Sequence, residues 1–100
     1  MLIYNTTYLV ADKQFEPWMK WVREVHIPFM LNCGFSNPQV AKVLTTDPEQ
    51  EGTSISVQFQ IEDLRKLSIW DKEHAEMLLC ELSERFGSEV LAFSTVLEVL

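Results

Sequence analysis

The chain has 100 residues, 47% of them apolar and 23% charged, a profile expected of one globular domain over residues 1–100 rather than of a disordered segment. Its net charge is −7 and uneven: residues 1–50 carry five acids and four bases, residues 51–100 ten acids and four bases. Such a surface repels phosphate backbones and anionic headgroups, and no run of Lys or Arg offsets it, so neither nucleic acid nor membrane is an expected partner.

Residues 2–10, LIYNTTYLV, are rich in β-branched and aromatic types and predict a first strand. Phe15, Trp18, Met19, Val22, His26, Phe29, Met30 and Cys33 then recur at three-four spacing, which predicts an amphipathic helix over residues 14–33. Pro17 fits its first turn. Pro28 removes a backbone bond and frees the Glu24 carbonyl, which predicts a kink or break at His26-Ile27-Pro28. Gly34 ends the helix. Residues 39–46 form a second strand, and Asp47-Pro-Glu-Gln-Glu-Gly52 a polar hairpin loop. In the third strand, residues 53–61, Ile55, Val57, Phe59 and Ile61 face one way and Ser54, Ser56, Gln58 and Gln60 the other. Residues 62–70 read as a turn plus a short helical piece. Ser68 with Asp71 then resembles a capping box, leading into a second amphipathic helix striped by Ala75, Leu78, Leu79, Leu82 and Phe86 and closed by Gly87. Residues 89–99 form the last strand.

Two βαβ crossovers joined by a hairpin predict an α+β, ferredoxin-like βαββαβ fold: a four-stranded antiparallel sheet with two helices on one face. The first and last strands offer no face fit for water. Leu2, Tyr4, Thr6, Tyr8 and Val10 oppose Ile3, Asn5, Thr7 and Leu9; Leu91, Phe93, Thr95, Leu97 and Val99 oppose Val90, Ala92, Ser94, Val96 and Glu98. Burial of the bare sheet face, worth about 25 cal/mol per Å² of apolar area, predicts a homodimer with its sheets facing, a dimeric α+β barrel. The space between would be lined by Ser56, Gln58, Gln60 and Ser94 with Asn5 or Tyr4, a mixed lining that either suits a small organic ligand or satisfies itself and water.

His26 lies before the proline, near the expected helix C-terminus, where the dipole favours imidazolium. It reads either as a general acid or base, with Tyr4, Asn5, Trp21 and Gln58 positioning a ligand, or as a side chain that caps the Glu24 carbonyl and packs on the sheet. Cys33 and Cys80 lack CxxC spacing and read as buried, reduced thiols; His26 and His74 lack HxxxH or HxH spacing, so no metal is expected. No glycine-rich phosphate loop is present, and no cofactor is expected. Without a signal-like N-terminus or a membrane-length apolar run, a cytoplasmic location is expected.

Met1-Leu-Ile-Tyr-Asn-Thr-Thr7, Trp18-Met-Lys-Trp21, Glu24-Val-His26-Ile-Pro28, Gly34-Phe35, Ser56-Val-Gln-Phe59 and Ala92-Phe-Ser-Thr95 together resemble a family of bacterial proteins of this length, found mainly in Bacteroidetes and catalogued as a domain of unknown function. The resemblance covers essentially the whole chain and implies no activity. The family often has Glu before the histidine, where this chain has Val25. More distantly the pattern is similar to dimeric α+β-barrel proteins, which include cofactor-free monooxygenases, isomerases and dehydratases as well as non-catalytic members. Several of those carry a Trp and a His-x-Pro on the first helix. That likeness is one of fold and transfers no reaction. The residues themselves leave two readings: a homodimeric small-molecule-binding protein or cofactor-independent enzyme with a cavity near His26, or a non-catalytic structural or regulatory homodimer that docks another protein through its acidic second half.

Overall fold

The computed structural model describes residues 1–44 and 51–100. Four strands, β1 (Leu2–Val10), β2 (Ser36–Lys42), β3 (Thr53–Ile61) and β4 (Val90–Glu98), form one antiparallel sheet in the order β2-β3-β1-β4. β1 and β3 pair in unbroken register from Leu2↔Ile61 to Val10↔Thr53, and both have the expected bounds. The reason is legible in their composition, since β-branched and aromatic residues alternate with small polar ones at the period of the pleat. With both helices packed on one side, the α+β ferredoxin-like arrangement is the fold observed.

The first helical passage is one continuous path. A 3₁₀ turn at Asp12–Gln14 leads into α1 (Phe15–Trp21), a π-helical turn at Val22–His26 and α2 (Ile27–Asn32). The kink or break expected at His26-Ile27-Pro28 takes the form of this π-helical turn: regular α-helix is interrupted at Val22–His26, while His26 and Ile27 keep right-handed helical dihedrals. The chain widens there by one residue, and the Ile27 N–H reaches back five positions to the Val22 carbonyl. Pro28 then falls at the start of α2, where its missing N–H is tolerated.

The second passage begins earlier than its sequence suggests. Asp63, not Ser68, caps it, accepting the Lys66 backbone N–H at 2.9 Å, and Glu62 pairs with Lys66 one turn on. α3 (Leu64–Trp70) runs through a second π-helical turn (Asp71–Ala75) into α4 (Glu76–Phe86), with Gly87 at φ 58° closing it. Ser68 therefore lies inside a helix. Of the expected stripe, Leu82 and Phe86 are buried while Leu79 is exposed.

β2 starts at Ser36, earlier than the expected residue 39, and includes Pro38. It is an edge strand with a register shift between Ser36 and Gln39 and positive φ at Asn37, the one setting in which a strand proline is readily accommodated. Its expected end at residue 46, and most of the expected hairpin loop, lie outside the described residues. β4 is one residue shorter at each end than expected.

The core lies between sheet and helices: Tyr8, Val10, Val57, Phe59 and Ile61 from the strands meet Trp18, Val22, Met30, Trp70 and Phe86 from the helices. Both thiols were expected here. Cys33 is half-buried and Cys80 is exposed, because α4 turns Leu82 and Phe86 inward and leaves residue 80 on the outer face.

Gly52, where the chain enters β3, adopts φ +88°, and a Cβ on it would stand 2.4 Å from the Val10 carbonyl oxygen. Gly52→Ala is therefore expected to destabilise the domain by about 1–3 kcal/mol through backbone strain and a clash with a strand that cannot yield. A urea midpoint equal to that of the unaltered protein would refute this account of the junction.

Candidate functional site

The sheet has two sides, and alternation decides which residues belong to each. On the helix side, the π-helical turn governs His26. In a regular α-helix, residues five apart lie on different faces; the i→i+5 pattern brings them toward one. Trp21 and His26 accordingly stack with ring centroids 5.1 Å apart and planes 7° from parallel. Phe59 meets the imidazole edge-on at 5.6 Å and Tyr8 at 6.2 Å. His26 is 2% exposed, and burial pushes its pKa down to about 4, so the ring is neutral at pH 7. Tyr8 Oη lies 3.5 Å from Nε2, and Nδ1 has no partner among the described residues. Burial, reinforced by the neighbouring Tyr4 phenol, raises the Tyr8 pKa, so its hydroxyl stays protonated.

This setting corrects two expectations. His26 is not at a helix C-terminus, because α2 continues beyond it, so no dipole end holds it as imidazolium. It also makes no side-chain cap to the helix. Its environment is aromatic and closed.

Tyr4 and Trp21 also lie on the helix side. Tyr4 packs against Phe35 at 5.9 Å and Trp70 at 5.3 Å, and donates to Ser94 Oγ at 3.1 Å, which is 2.9 Å from Thr6 Oγ1. It lines a shallow groove of about 310 Å³ with Leu64, Leu67, Ser68, Asp71 and Val96. Trp21 donates from Nε1 to Glu81 Oε1 at 3.4 Å and lines another groove, of about 560 Å³, with Lys20, Glu24 and Arg85. His26 lines neither groove.

Asn5 and Gln58 lie on the opposite, open side. They are direct partners across β1 and β3, and the cross-strand row continues to Gln39 on β2 and Thr95 on β4. Ser56 donates to Asn5 Oδ1, Gln58 Nε2 donates to Ser56 Oγ at 3.4 Å, and Asn5 Nδ2 donates to Thr7 Oγ1 at 3.4 Å. Beside this polar row β4 presents Leu91 (58% exposed), Phe93 (66%) and Leu97 (45%).

The five residues read together from sequence thus fall into two groups that the sheet separates: Tyr4, Trp21 and His26 behind it, Asn5 and Gln58 in front. Adjacent strand positions point to opposite faces, so Tyr4 and Asn5 never share one. The residue that reading missed is Tyr8, the nearest hydroxyl to His26; its parity with the inward Thr6 and Val10 was the available signal. Ser94, expected between the sheets, is on the helix side, since it pairs with inward-facing Thr6. Among the described residues no group of His, Cys, Asp and Glu is gathered to hold a metal ion, and no helix is long and apolar enough to cross a membrane.

Residues 1–100 match the model of a family described as Domain of unknown function (DUF4286). No curated protein matches the chain. Among solved structures, the chain is similar to an ethyl tert-butyl ether D (EthD) family protein from Bacillus halodurans, with TM-score 0.69, 10% identity and full coverage of both chains. It is similar to a candidate antibiotic biosynthesis monooxygenase from Deinococcus radiodurans, with TM-score 0.68 and 14% identity over 100% of this chain and 93% of that one. It is also similar to a dimeric ferredoxin-like protein from an uncultured marine organism, with TM-score 0.60 and 17% identity over 100% and 95%. At these identities the likeness is one of fold.

Proposed function

The chain belongs to the family described as Domain of unknown function (DUF4286), and from that premise we propose that it works as a homodimer whose open sheet faces shield each other around a chamber for a small organic ligand. The ligand is either simply held or transformed without a cofactor. In this reading Asn5 and Gln58 meet the ligand, while Tyr4, Trp21 and His26 hold the sheet from behind.

One observation carries the proposal. The open face sets exposed Leu91, Phe93 and Leu97 beside the hydrogen-bonded row of Asn5, Ser56 and Gln58. Apolar rows of this kind favour burial, and a two-fold interface buries the same row from both subunits at once. A polar row enclosed by the same contact becomes the wall of a chamber rather than part of a dry seam. The dimeric ferredoxin-like relatives support the assembly, and the monooxygenase-like relative is consistent with small-molecule chemistry on this fold.

Light scattering during size-exclusion chromatography at micromolar concentration is expected to give twice the 11.6 kDa chain mass. Phe93→Asp is expected to return it to the single-chain mass with the fold retained, since a buried, unpaired carboxylate costs several kcal/mol at an interface. A wild-type chain that runs at the single-chain mass sinks the proposal. A second reading, a non-catalytic structural or regulatory homodimer that docks a basic protein surface, is supported by the ten acids against four bases of residues 51–100. It differs in expecting the dimer to be filled, with no small molecule retained.

A further inference from the structure

The four strands contain only two charged residues, Lys42 and Glu98. Both have helix-side parity: Lys42 pairs with Ile55 and Glu98 with Leu2, and Ile55 and Leu2 are core residues. Among the described residues, the strand positions on the open face therefore carry amides, hydroxyls and apolar side chains, although the chain as a whole carries 23% charged residues. The row Gln39, Gln58, Asn5 and Thr95 crosses all four strands. Its internal bonds use up several polar atoms but leave Gln58 Oε1 and the side chains of Gln39 and Thr95 without a partner among the described residues. An acceptor enclosed without a donor is destabilising, so once the face is covered this oxygen needs an N–H or O–H, from the Gln39 carboxamide opposite it or from something bound.

Resting on the dimer reading above, we infer that the chamber selects an uncharged molecule with an N–H or O–H donor on a flat apolar body, the donor meeting Gln58 Oε1 and the body packing on Phe93 and Leu97. The physical reason is desolvation. A carboxylate or ammonium carried onto the central row of Gln39, Gln58, Asn5 and Thr95 would leave water for side chains that offer no opposite charge; the charged groups beside the face, Asp12, Lys13, Glu51 and Glu89, gather at its Leu9–Leu91 end. A neutral amide or phenol exchanges hydrogen bonds with water for bonds to carboxamides at little cost, and its ring gains apolar contact. The net charge of −7 further disfavours anions at long range.

The test compares three probes of nearly one shape: 2-naphthamide, 2-naphthoate and 2-naphthylmethylammonium, each titrated into ¹⁵N-labelled full-length protein. The side-chain NH₂ signals of Asn5 and Gln58 report directly. Naphthamide is expected to shift both signals saturably, with the two charged probes at least about tenfold weaker, a difference of about 1.4 kcal/mol. Gln58→Leu is expected to weaken naphthamide binding while leaving the dimer mass unchanged, and Ser56→Ala serves if that variant does not fold. Charged probes that bind as well as naphthamide, or no shift from any probe in a protein that light scattering shows to be dimeric, overturn the inference and leave the dimer standing. A monomeric mass overturns the reading beneath it.

Discussion

Lowering the pH from 7 to 5 is expected to remove about 2 kcal/mol of stability through His26 alone, and further acidification to pH 4 about 3 kcal/mol in all. In the unfolded chain its pKa is the ordinary 6.5, while in the fold burial holds it at about 4. Above 6.5 the ring is neutral in both states and contributes no pH dependence. Between 6.5 and 4 the unfolded chain takes up the proton and the folded one does not, so each step down in pH favours unfolding. Urea denaturation at pH 7 and pH 5 checks this, with His26→Gln as reference. The variant is expected to keep the pH dependence of the carboxylates and to lose the additional 2 kcal/mol. Parallel curves for the two proteins would show that the imidazole titrates freely. Should the variant not fold, the ring signals of the unaltered protein give the same answer, since no titration should appear between pH 7 and 5.

Trp18→Ala is expected to be the more damaging change, at about 3–5 kcal/mol. Trp18 is 0% exposed and its ring lies 5.0 Å from that of Tyr8, between α1 and the sheet. Total stabilities of about 5–15 kcal/mol leave little after such a loss, so the variant should unfold well below the melting temperature of the parent or fail to unfold cooperatively. Trp18→Phe should be far milder. It keeps most of the ring contact and removes an indole N–H that has no partner among the described residues. A loss below about 1 kcal/mol for the alanine variant would mean that the helix collapses into the space and that the core is not held by this ring.

Much of the fold was legible because two strands carry their own pattern. In β1 and β3 the alternation sets bounds and inward face together, and the structure reproduces them. Where an element lacks a buried stripe its bounds are weakly marked: β2, expected from residue 39, is exposed throughout and begins at Ser36, running through a Pro38 that a sheet edge permits. Pro28 marked the place of the irregularity but not its form. The rule that proline breaks a helix is sound for regular i→i+4 bonding, but one added residue moves the missing donor to where none is required. The site was less legible than the fold. Parity already places Tyr4 and Asn5 on opposite faces, whereas the pairing of Asn5 with Gln58 depends on a register that only the closed sheet determines. The stacking of Trp21 on His26 depends on the π-helical turn and has no counterpart in three-four spacing.

The irregular edge of the sheet bears on how large an assembly this chain can build. β2 ends the sheet with Pro38, a register shift and a left-handed Asn37, so it offers a poor template for another strand, whereas β4 at the far side is regular over its length. The two margins are unlike, and a head-to-tail ribbon, which would require β4 of one copy to zip onto β2 of the next, has no matching partner. Self-association is thereby steered toward closed pairs and away from open-ended fibres.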